Sequence, residues 1–133
     1  MTQQRFGPDD PREWLNRARS NLALAKTRIP EAYLEDLCFE AQQAAEKAVK
    51  GLLVHKHVEF PYIHDLARLL TLLEKSGETI PAPVKEASYL TSFAVVTRYP
   101  GAIGFVSEEQ YRRAITIAEL IVEWVEGRIK QDV

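Results

Sequence analysis

The sequence predicts an all-α protein, a single-domain up-and-down bundle of four long helices and one short helix. Two observations predict this class. Apolar residues recur at three- and four-residue spacing along most of the chain, which is the period of an amphipathic helix. No segment alternates apolar and polar residues between turn signals, as a half-buried strand would. With 133 residues, 46% of them apolar, we expect one domain over residues 1–133 with an ordered core from 10 to 130.

Composition narrows the function classes. The net charge of −2 argues against a protein that binds DNA in an extended manner through a broad basic surface. The single cysteine, Cys38, cannot form an internal disulfide and is expected to be a small buried apolar residue. The first residues lack the apolar core of a signal peptide, and no apolar run is long enough for a membrane span. We therefore expect a cytoplasmic protein with no membrane contact, no cofactor and no metal site.

The first two helices have clear start signals. Asp10 can cap the first helix, Pro11 suits its first turn, and Glu13 has the spacing of a capping box. The apolar stripe that follows extends to about Arg28. Pro30 then breaks the chain and can open a second helix over residues 31–57.

The second helix has one face of small and apolar residues. This face consists of Leu34, Leu37, Cys38, Ala41, Ala45, Ala48 and Leu52. Its alanines would let another helix approach closely. The opposite side is expected to face solvent and carries Asp36, Glu40, Gln43, Lys47 and Lys50. Phe39 lies outside the alanine face, so we expect it either to be exposed or to be covered by another helix or a partner.

Three more helices follow. The third spans residues 65–75 and ends at Ser76-Gly77. The fourth begins near Pro83 and continues to Arg98, and the fifth spans residues 107–130 with Ser107 and Gln110 as its capping box. The fifth helix is apolar over more of its circumference than a surface helix needs. Either it is central in the bundle or it packs on a second subunit, and we expect a homodimer.

Three segments together resemble the HEPN family (higher eukaryotes and prokaryotes nucleotide-binding). They are Trp14–Ala25, Cys38–Leu53 followed by His64-Asp65-Leu66, and Thr97–Pro100 followed by Ser107-Glu108-Glu109. The resemblance implies a helical bundle that often dimerises. Many members are encoded beside a minimal nucleotidyltransferase and form toxin–antitoxin pairs with it. The resemblance also implies that the toxic members are metal-independent ribonucleases. Their motif is an Arg followed after four to six residues by a His.

The chain departs from that ribonuclease motif. Arg98 stands where the motif would begin, but the positions for the His hold Ile103, Gly104 and Phe105, none of which can transfer a proton. We therefore expect a protein without the family ribonuclease activity, which partners a minimal nucleotidyltransferase and binds a nucleotide or an RNA phosphate. Two alternatives remain open: a toxin ribonuclease with a non-standard base, and a purely structural dimerisation module.

The candidate ligand-binding residues are Arg98, Arg112, Arg113 and His64. If the fourth and fifth helices are antiparallel neighbours, the three arginines share one end of the bundle and could bind phosphate. Alternatively, Arg98 caps helix carbonyls, and the other two arginines pair with Glu108 and Glu109.

His64 precedes the third helix, either as a structural residue or as a ligand contact in a cleft. His55 and His57 are two residues apart and diverge on a helix, so they form a poor metal pair and are expected at a solvated helix end. The residues expected at a dimer or partner contact are Phe39, Tyr99 and Trp124, although Trp124 also suits the core.

Overall fold

The computed structural model describes residues 4–94 and 105–131 of the chain. In these ranges the regular elements are α1 (Pro11–Ala25), α2 (Leu34–His55), α3 (Leu66–Lys75), a 3₁₀ turn (Val84–Ala87), α4 (Ser88–Thr91) and α5 (Glu108–Gln131). No strand occurs in the described ranges. The all-helical class predicted from the sequence is confirmed, and the fold is a helical bundle.

The fourth helix differs from the prediction of one long element. Its described part is the 3₁₀ turn followed by the single turn α4. The first hydrogen bonds there span three residues, such as Val84 N to the Pro81 carbonyl at 3.0 Å and Glu86 N to the Pro83 carbonyl at 3.3 Å. Lys85 N donates to the Pro81 carbonyl at 3.2 Å and to the Ala82 carbonyl at 3.1 Å, so the start of this element combines four-residue and three-residue hydrogen bonds. The remainder of the predicted helix, including Arg98, lies outside the described residues.

Helix α2 is central in the bundle and packs against α1, α3, α4 and α5. The alanine face predicted on α2 lies in the core, where Ala41, Ala45 and Ala48 are fully buried. Small side chains such as these let neighbouring helices approach α2 closely. None of the described helices has both the length and the apolar composition needed to cross a lipid bilayer.

Most of the apolar surface of α5 is buried inside this one chain, because α5 packs on α2, α1 and the 3₁₀ turn. Its buried residues are Tyr111, Ala114, Ile117, Ala118, Ile121, Val122, Val125 and Ile129. Trp124 is half-buried and packs against the same core. Of the two explanations for this wide apolar surface, a central position in the bundle accounts for these residues.

Two of the three capping contacts predicted from the sequence are present. Asp10 accepts a hydrogen bond from Arg12 N at 2.9 Å, and Ser107 and Gln110 form a reciprocal capping box. The prediction that Glu13 completes a capping box at α1 is wrong. Its buried carboxylate accepts from the backbone N–H of Phe6 at 3.0 Å, so it anchors the preceding segment of chain instead.

Helices α2 and α3 end in the same C-terminal motif. A backbone N–H reaches back five residues in each, from Val58 to the Leu53 carbonyl at 2.9 Å and from Glu78 to the Leu73 carbonyl at 3.0 Å. This motif needs a left-handed residue just after the helix. Gly77 supplies it after α3 with φ 105°, and His57 supplies it after α2 with φ 58°.

Candidate functional site

A cleft opens between α1, α2 and the segment 60–64 that follows α2. We call it the α1–α2 cleft. Its volume is about 470 Å³, and a second hollow of about 310 Å³ adjoins it along α1. The cleft is lined by Phe6, Pro8, Glu13, Trp14, Arg17, Gln43, Glu46, Lys47, Lys50, Tyr62 and His64. Pockets of this size are typical of small-molecule sites in proteins.

The floor of the cleft is the buried carboxylate of Glu46. It accepts hydrogen bonds from Gln42 Nε2 at 2.8 Å, Lys50 Nζ at 2.9 Å and His64 Nδ1 at 2.9 Å. Burial acts to raise the pKa of Glu46, but the three hydrogen bonds outweigh it and hold that pKa below its usual range. Glu46 is therefore ionised at neutral pH.

Because an ionised carboxylate only accepts hydrogen bonds, the proton in the Glu46–His64 contact belongs to Nδ1 of His64. In the neutral imidazole, Nε2 then carries a lone pair and acts as an acceptor. The side chain of His64 is 44% exposed, whereas that of Glu46 is 5% exposed. The arrangement thus fixes both the tautomer and the orientation of a partly exposed imidazole.

The ammonium of Lys50 is buried beside Glu46, and both side chains are about 5% exposed. It lies 5.8 Å from the ring centroid of Phe60 and 5.4 Å from that of Tyr62. The expectation that Lys50 faces solvent is wrong, because the segment 60–64 folds back over that side of α2. Its charge is balanced by Glu46 and by contact with the aromatic ring faces.

Two further basic side chains border the cleft and the adjoining hollow. The half-buried Lys47 donates to Asn21 Oδ1 at 2.8 Å, and Arg17 Nε donates to Glu13 at 2.9 Å. The pKa of Lys47 is lowered, chiefly by burial. Repulsion from Arg17 and Lys50 also lowers it, while Glu40 and Glu46 act to raise it. With Arg5, four basic side chains face only two carboxylates, Glu13 and Glu46, across these hollows.

Residues 4–8, which we call the N-terminal strap, cover one side of the cleft. Trp14 Nε1 donates to the Pro8 carbonyl at 2.8 Å, and Asn16 Nδ2 donates to the Gln4 carbonyl at 2.8 Å. Glu13 accepts from Arg5 and from the Phe6 backbone N–H. The side-chain hydrogen bond from Arg5, with help from that backbone N–H and from Arg17, lowers the pKa of Glu13 to about 2.

Aromatic rings form the opposite side. The ring of Phe60 meets that of Trp14, which lines the cleft, edge-on at a centroid distance of 6.1 Å. Tyr62 is 92% exposed and meets the imidazole of His64 edge-on at 6.0 Å. A large, exposed aromatic face therefore stands beside the cations and the imidazole.

The structure places the residues predicted from the sequence in different parts of the molecule. His64 lies in the α1–α2 cleft. Arg112 and Arg113 are exposed on α5 and do not line that cleft. The guanidinium of Arg113 stacks over the ring of Tyr89 at 4.0 Å, and Glu108 pairs with Arg28.

Arg98 and Tyr99 lie outside the described residues, and the roles predicted for them stay predictions. The half-buried Phe39 does not line the cleft. Sequence reasoning missed Glu46, Lys47 and Arg17 as site residues. One signal was available, the four-residue spacing of Gln42, Glu46 and Lys50, which places an amide, a carboxylate and an amine on one side of α2.

Metal and thiol chemistry find little support in the described part of the chain. No group of three or more His, Cys, Asp or Glu side chains in residues 4–94 and 105–131 could hold a metal ion. Cys38 is buried, and this burial raises the pKa of its thiol to about 12. The thiol therefore stays protonated at neutral pH and packs as a small apolar side chain.

Comparison with known proteins gives a family match. A family model described as HEPN domain matches residues 11–128. No curated protein is significantly similar to the chain.

Two solved structures resemble the chain in both fold and sequence. An archaeal HEPN homologue, ST0689, is 30% identical, with a TM-score of 0.74 over 90% of this chain and 98% of its own. TT1696 from Thermus thermophilus is 31% identical, with a TM-score of 0.77 over 88% of this chain and 96% of its own. Because the family model spans most of the sequence, the chain belongs to the HEPN domain family.

Proposed function

We propose that this HEPN-domain protein binds a nucleotide or an RNA phosphate in the α1–α2 cleft and acts as the partner of a minimal nucleotidyltransferase in a toxin–antitoxin-type pair. The observation that carries the binding function is the excess of basic side chains around the cleft and its adjoining hollow, next to the exposed ring of Tyr62. A phosphate can pair with the cations, and a nucleobase can stack on the aromatic ring.

The electrostatics of Lys47 support an anionic ligand. Its ammonium is half-buried, and its pKa is lowered by burial and by the nearby positive charges of Arg17 and Lys50. An anion placed between Arg17 and Lys47 would relieve this repulsion and favour the charged amine. The bound anion would therefore be stabilised by charges that lie close together before it arrives.

The proposed role does not include the family ribonuclease chemistry, since Ile103, Gly104 and Phe105 occupy the positions of the motif's His. The partnership with a nucleotidyltransferase is proposed from the family resemblance. The homodimeric state is proposed from that resemblance and from the wide apolar surface of the fifth helix, and the cytoplasmic location from the lack of a signal-peptide or membrane-span pattern. Co-expression with a minimal nucleotidyltransferase encoded next to this chain, followed by purification through a tag on one partner, tests the partnership. Recovery of the untagged partner in fixed ratio supports it, and its absence counts against it.

Thermal denaturation with added ligand tests the binding function. A ligand that binds only the folded state raises the melting temperature progressively with its concentration, by an amount set by its dissociation constant. We expect this behaviour for AMP or for a short RNA, and a smaller shift in the Lys47→Gln variant. Identical melting curves with and without both ligands at millimolar concentration would contradict the binding function.

A ribonuclease with a non-standard base is the second candidate, and the Glu46–His64 contact favours it. A carboxylate that holds Nδ1–H of an imidazole leaves Nε2 ready to accept a proton, which is how many general bases are oriented. Incubation of purified protein with cellular RNA tests this candidate. Cleavage that His64→Ala abolishes would support it, and intact RNA would remove it.

A further inference from the structure

We infer that the ligand of the α1–α2 cleft is a single nucleotide, a nucleoside mono- or diphosphate, with its base against Tyr62, a sugar hydroxyl at Nε2 of His64 and its phosphate between Arg17 and Lys47. This inference rests on the proposed function and names the ligand class and the contacts of the same site.

The dimensions of the site favour one nucleotide over a nucleic-acid strand. The cleft of about 470 Å³ is bounded on one side by the N-terminal strap and on the other by the segment 60–64. A strand would need unpaired cations that continue along the surface. Besides Arg5, Arg17 and Lys47, however, the adjoining hollow is lined by Glu13 and by the uncharged Asn16, Ser20 and Asn21. No row of cations therefore continues along its lining.

The base position follows from the exposure of Tyr62. Its ring is 92% exposed although it lies in the wall of the cleft. The described contacts of the ring are the edge of His64 and the ammonium of Lys50, so most of its surface is free to stack on a planar group. Stacking of a base on an aromatic side chain contributes about 1–3 kcal/mol, which corresponds to about 5- to 150-fold in affinity.

The sugar position follows from the tautomer of His64. Glu46 fixes a proton at Nδ1, so Nε2 can accept a hydrogen bond when the ring is neutral. A ribose hydroxyl can donate to this nitrogen, whereas an ionised phosphate oxygen only accepts and would face its lone pair. His64 therefore suits the sugar end of the ligand rather than its phosphate end.

The phosphate position follows from the basic pair Arg17 and Lys47, which belong to both the cleft and the adjoining hollow. Lys50 does not suit this role, because its ammonium is buried and already paired with Glu46 at 2.9 Å. Arg17 and Lys47 now donate to Glu13 and Asn21. Both are long side chains at the rim, so they can turn to a phosphate without disturbing the core.

Isothermal titration calorimetry with AMP, inorganic phosphate and an RNA hexanucleotide tests the inference on the full chain. Two variants remove the proposed contacts, Tyr62→Ala for the base and Lys47→Gln for the phosphate. Two matched controls make the same substitutions outside the cleft. They are Tyr33→Ala, at a tyrosine that is 72% exposed just before α2, and Lys130→Gln, at an exposed lysine of α5. Melting temperatures of all four variants check that each is folded.

The inference expects AMP to bind with a stoichiometry of one per chain and at least tenfold more tightly than inorganic phosphate. Tyr62→Ala should weaken AMP binding about tenfold and leave phosphate binding unchanged, while Lys47→Gln should weaken both. Neither control should change either affinity by more than about twofold.

Three results would overturn the inference in distinguishable ways. Tighter binding of the hexanucleotide than of AMP, still sensitive to Lys47→Gln, would exclude a single nucleotide and leave the proposed phosphate-binding function intact. No heat and no thermal stabilisation with any of the three ligands would remove the inference and the binding function together. Loss of AMP binding in Tyr33→Ala but not in Tyr62→Ala would place the ligand elsewhere.

Discussion

Gly51 of α2 lies so close to Trp14 of α1 that a Cβ built at position 51 would stand 2.9 Å from the Cβ of Trp14. Carbon atoms in proteins pack at about 3.5–4 Å, so nothing larger than glycine fits without a shift of one helix. This contact sets the spacing between α1 and α2 next to the α1–α2 cleft. The backbone carbonyl of Pro11, 3.6 Å from the same position, limits movement in a second direction.

Gly51→Ala should therefore destabilise the protein by about 1–3 kcal/mol, because overpacking at a helix contact outweighs the gain in helix propensity. Gly127→Ala is the matched control, since a Cβ on that glycine of α5 meets nothing within 4 Å. It should stabilise the protein by about 0.5–1 kcal/mol. Urea denaturation measures both, and a stabilising effect at position 51 would contradict the close approach of the two helices.

The left-handed residue after α2 gives a second prediction. His57 has φ 58°, a conformation that costs a side chain with a Cβ about 1–2 kcal/mol. Replacement by glycine removes that cost but adds entropy to the unfolded chain, so His57→Gly should stabilise by about 0.5–1 kcal/mol. Gly77→Ala, at φ 105° after α3, should destabilise by about 1 kcal/mol. Thermal unfolding that shows the same sign for both variants would contradict the shared motif.

The buried pair Glu46–Lys50 gives a third prediction. Lys50→Met leaves the Glu46 carboxylate buried without its ammonium, and Glu46→Leu leaves the ammonium without its carboxylate. Each single variant should cost about 3 kcal/mol, because an uncompensated charge remains in a buried site. The double variant should be more stable than either single variant. Strictly additive losses in chemical denaturation would show that the two groups do not depend on each other.

Anchoring of the N-terminal strap by Glu13 gives a prediction about pH. The folded-state pKa of Glu13 is about 2, against an ordinary value of 4.5, so the carboxylate stabilises the fold at pH values above 4.5. This stabilisation is lost as the pH falls from 4.5 towards 2. The free energies of unfolding of the wild type and Glu13→Gln should therefore differ most at neutral pH and converge near pH 2. A constant difference from pH 7 to pH 2 would contradict the ion pairing described for Glu13.

Much of the fold could be predicted from the sequence, because the relevant signals are local. The apolar period of α1, α2, α3 and α5 and the caps at Asp10 and Ser107 depend on neighbours within a few residues. The fourth helix was less predictable, since the paired prolines at 81 and 83 compete with an apolar helical period. The left-handed His57 was not predictable, because a histidine at that position carries no signal comparable to that of Gly77.

The candidate site was harder to predict because its contacts are distant in sequence. His64 and Glu46 are 18 residues apart, and their contact depends on how the segment 60–64 folds back over α2. The same fold-back buries Lys50, which helical period alone places on the solvent side. Glu13 had the spacing of a cap but joins the strap instead, since Arg5 and the Phe6 N–H compete for its oxygens. The pattern of neighbouring residues does not show which of several distant donors a carboxylate will bind.

The two tryptophans allow a direct test of where the ligand binds. Trp14 lines the α1–α2 cleft, and Trp124 packs against the core from α5. In the Trp124→Phe variant, Trp14 is the sole tryptophan, and AMP should change its emission saturably at one site per chain. Added Lys47→Gln should shift that titration to higher AMP concentration. Emission from Trp14 that stays constant while AMP alters the emission of Trp124 in the Trp14→Phe variant would contradict a ligand site in the cleft.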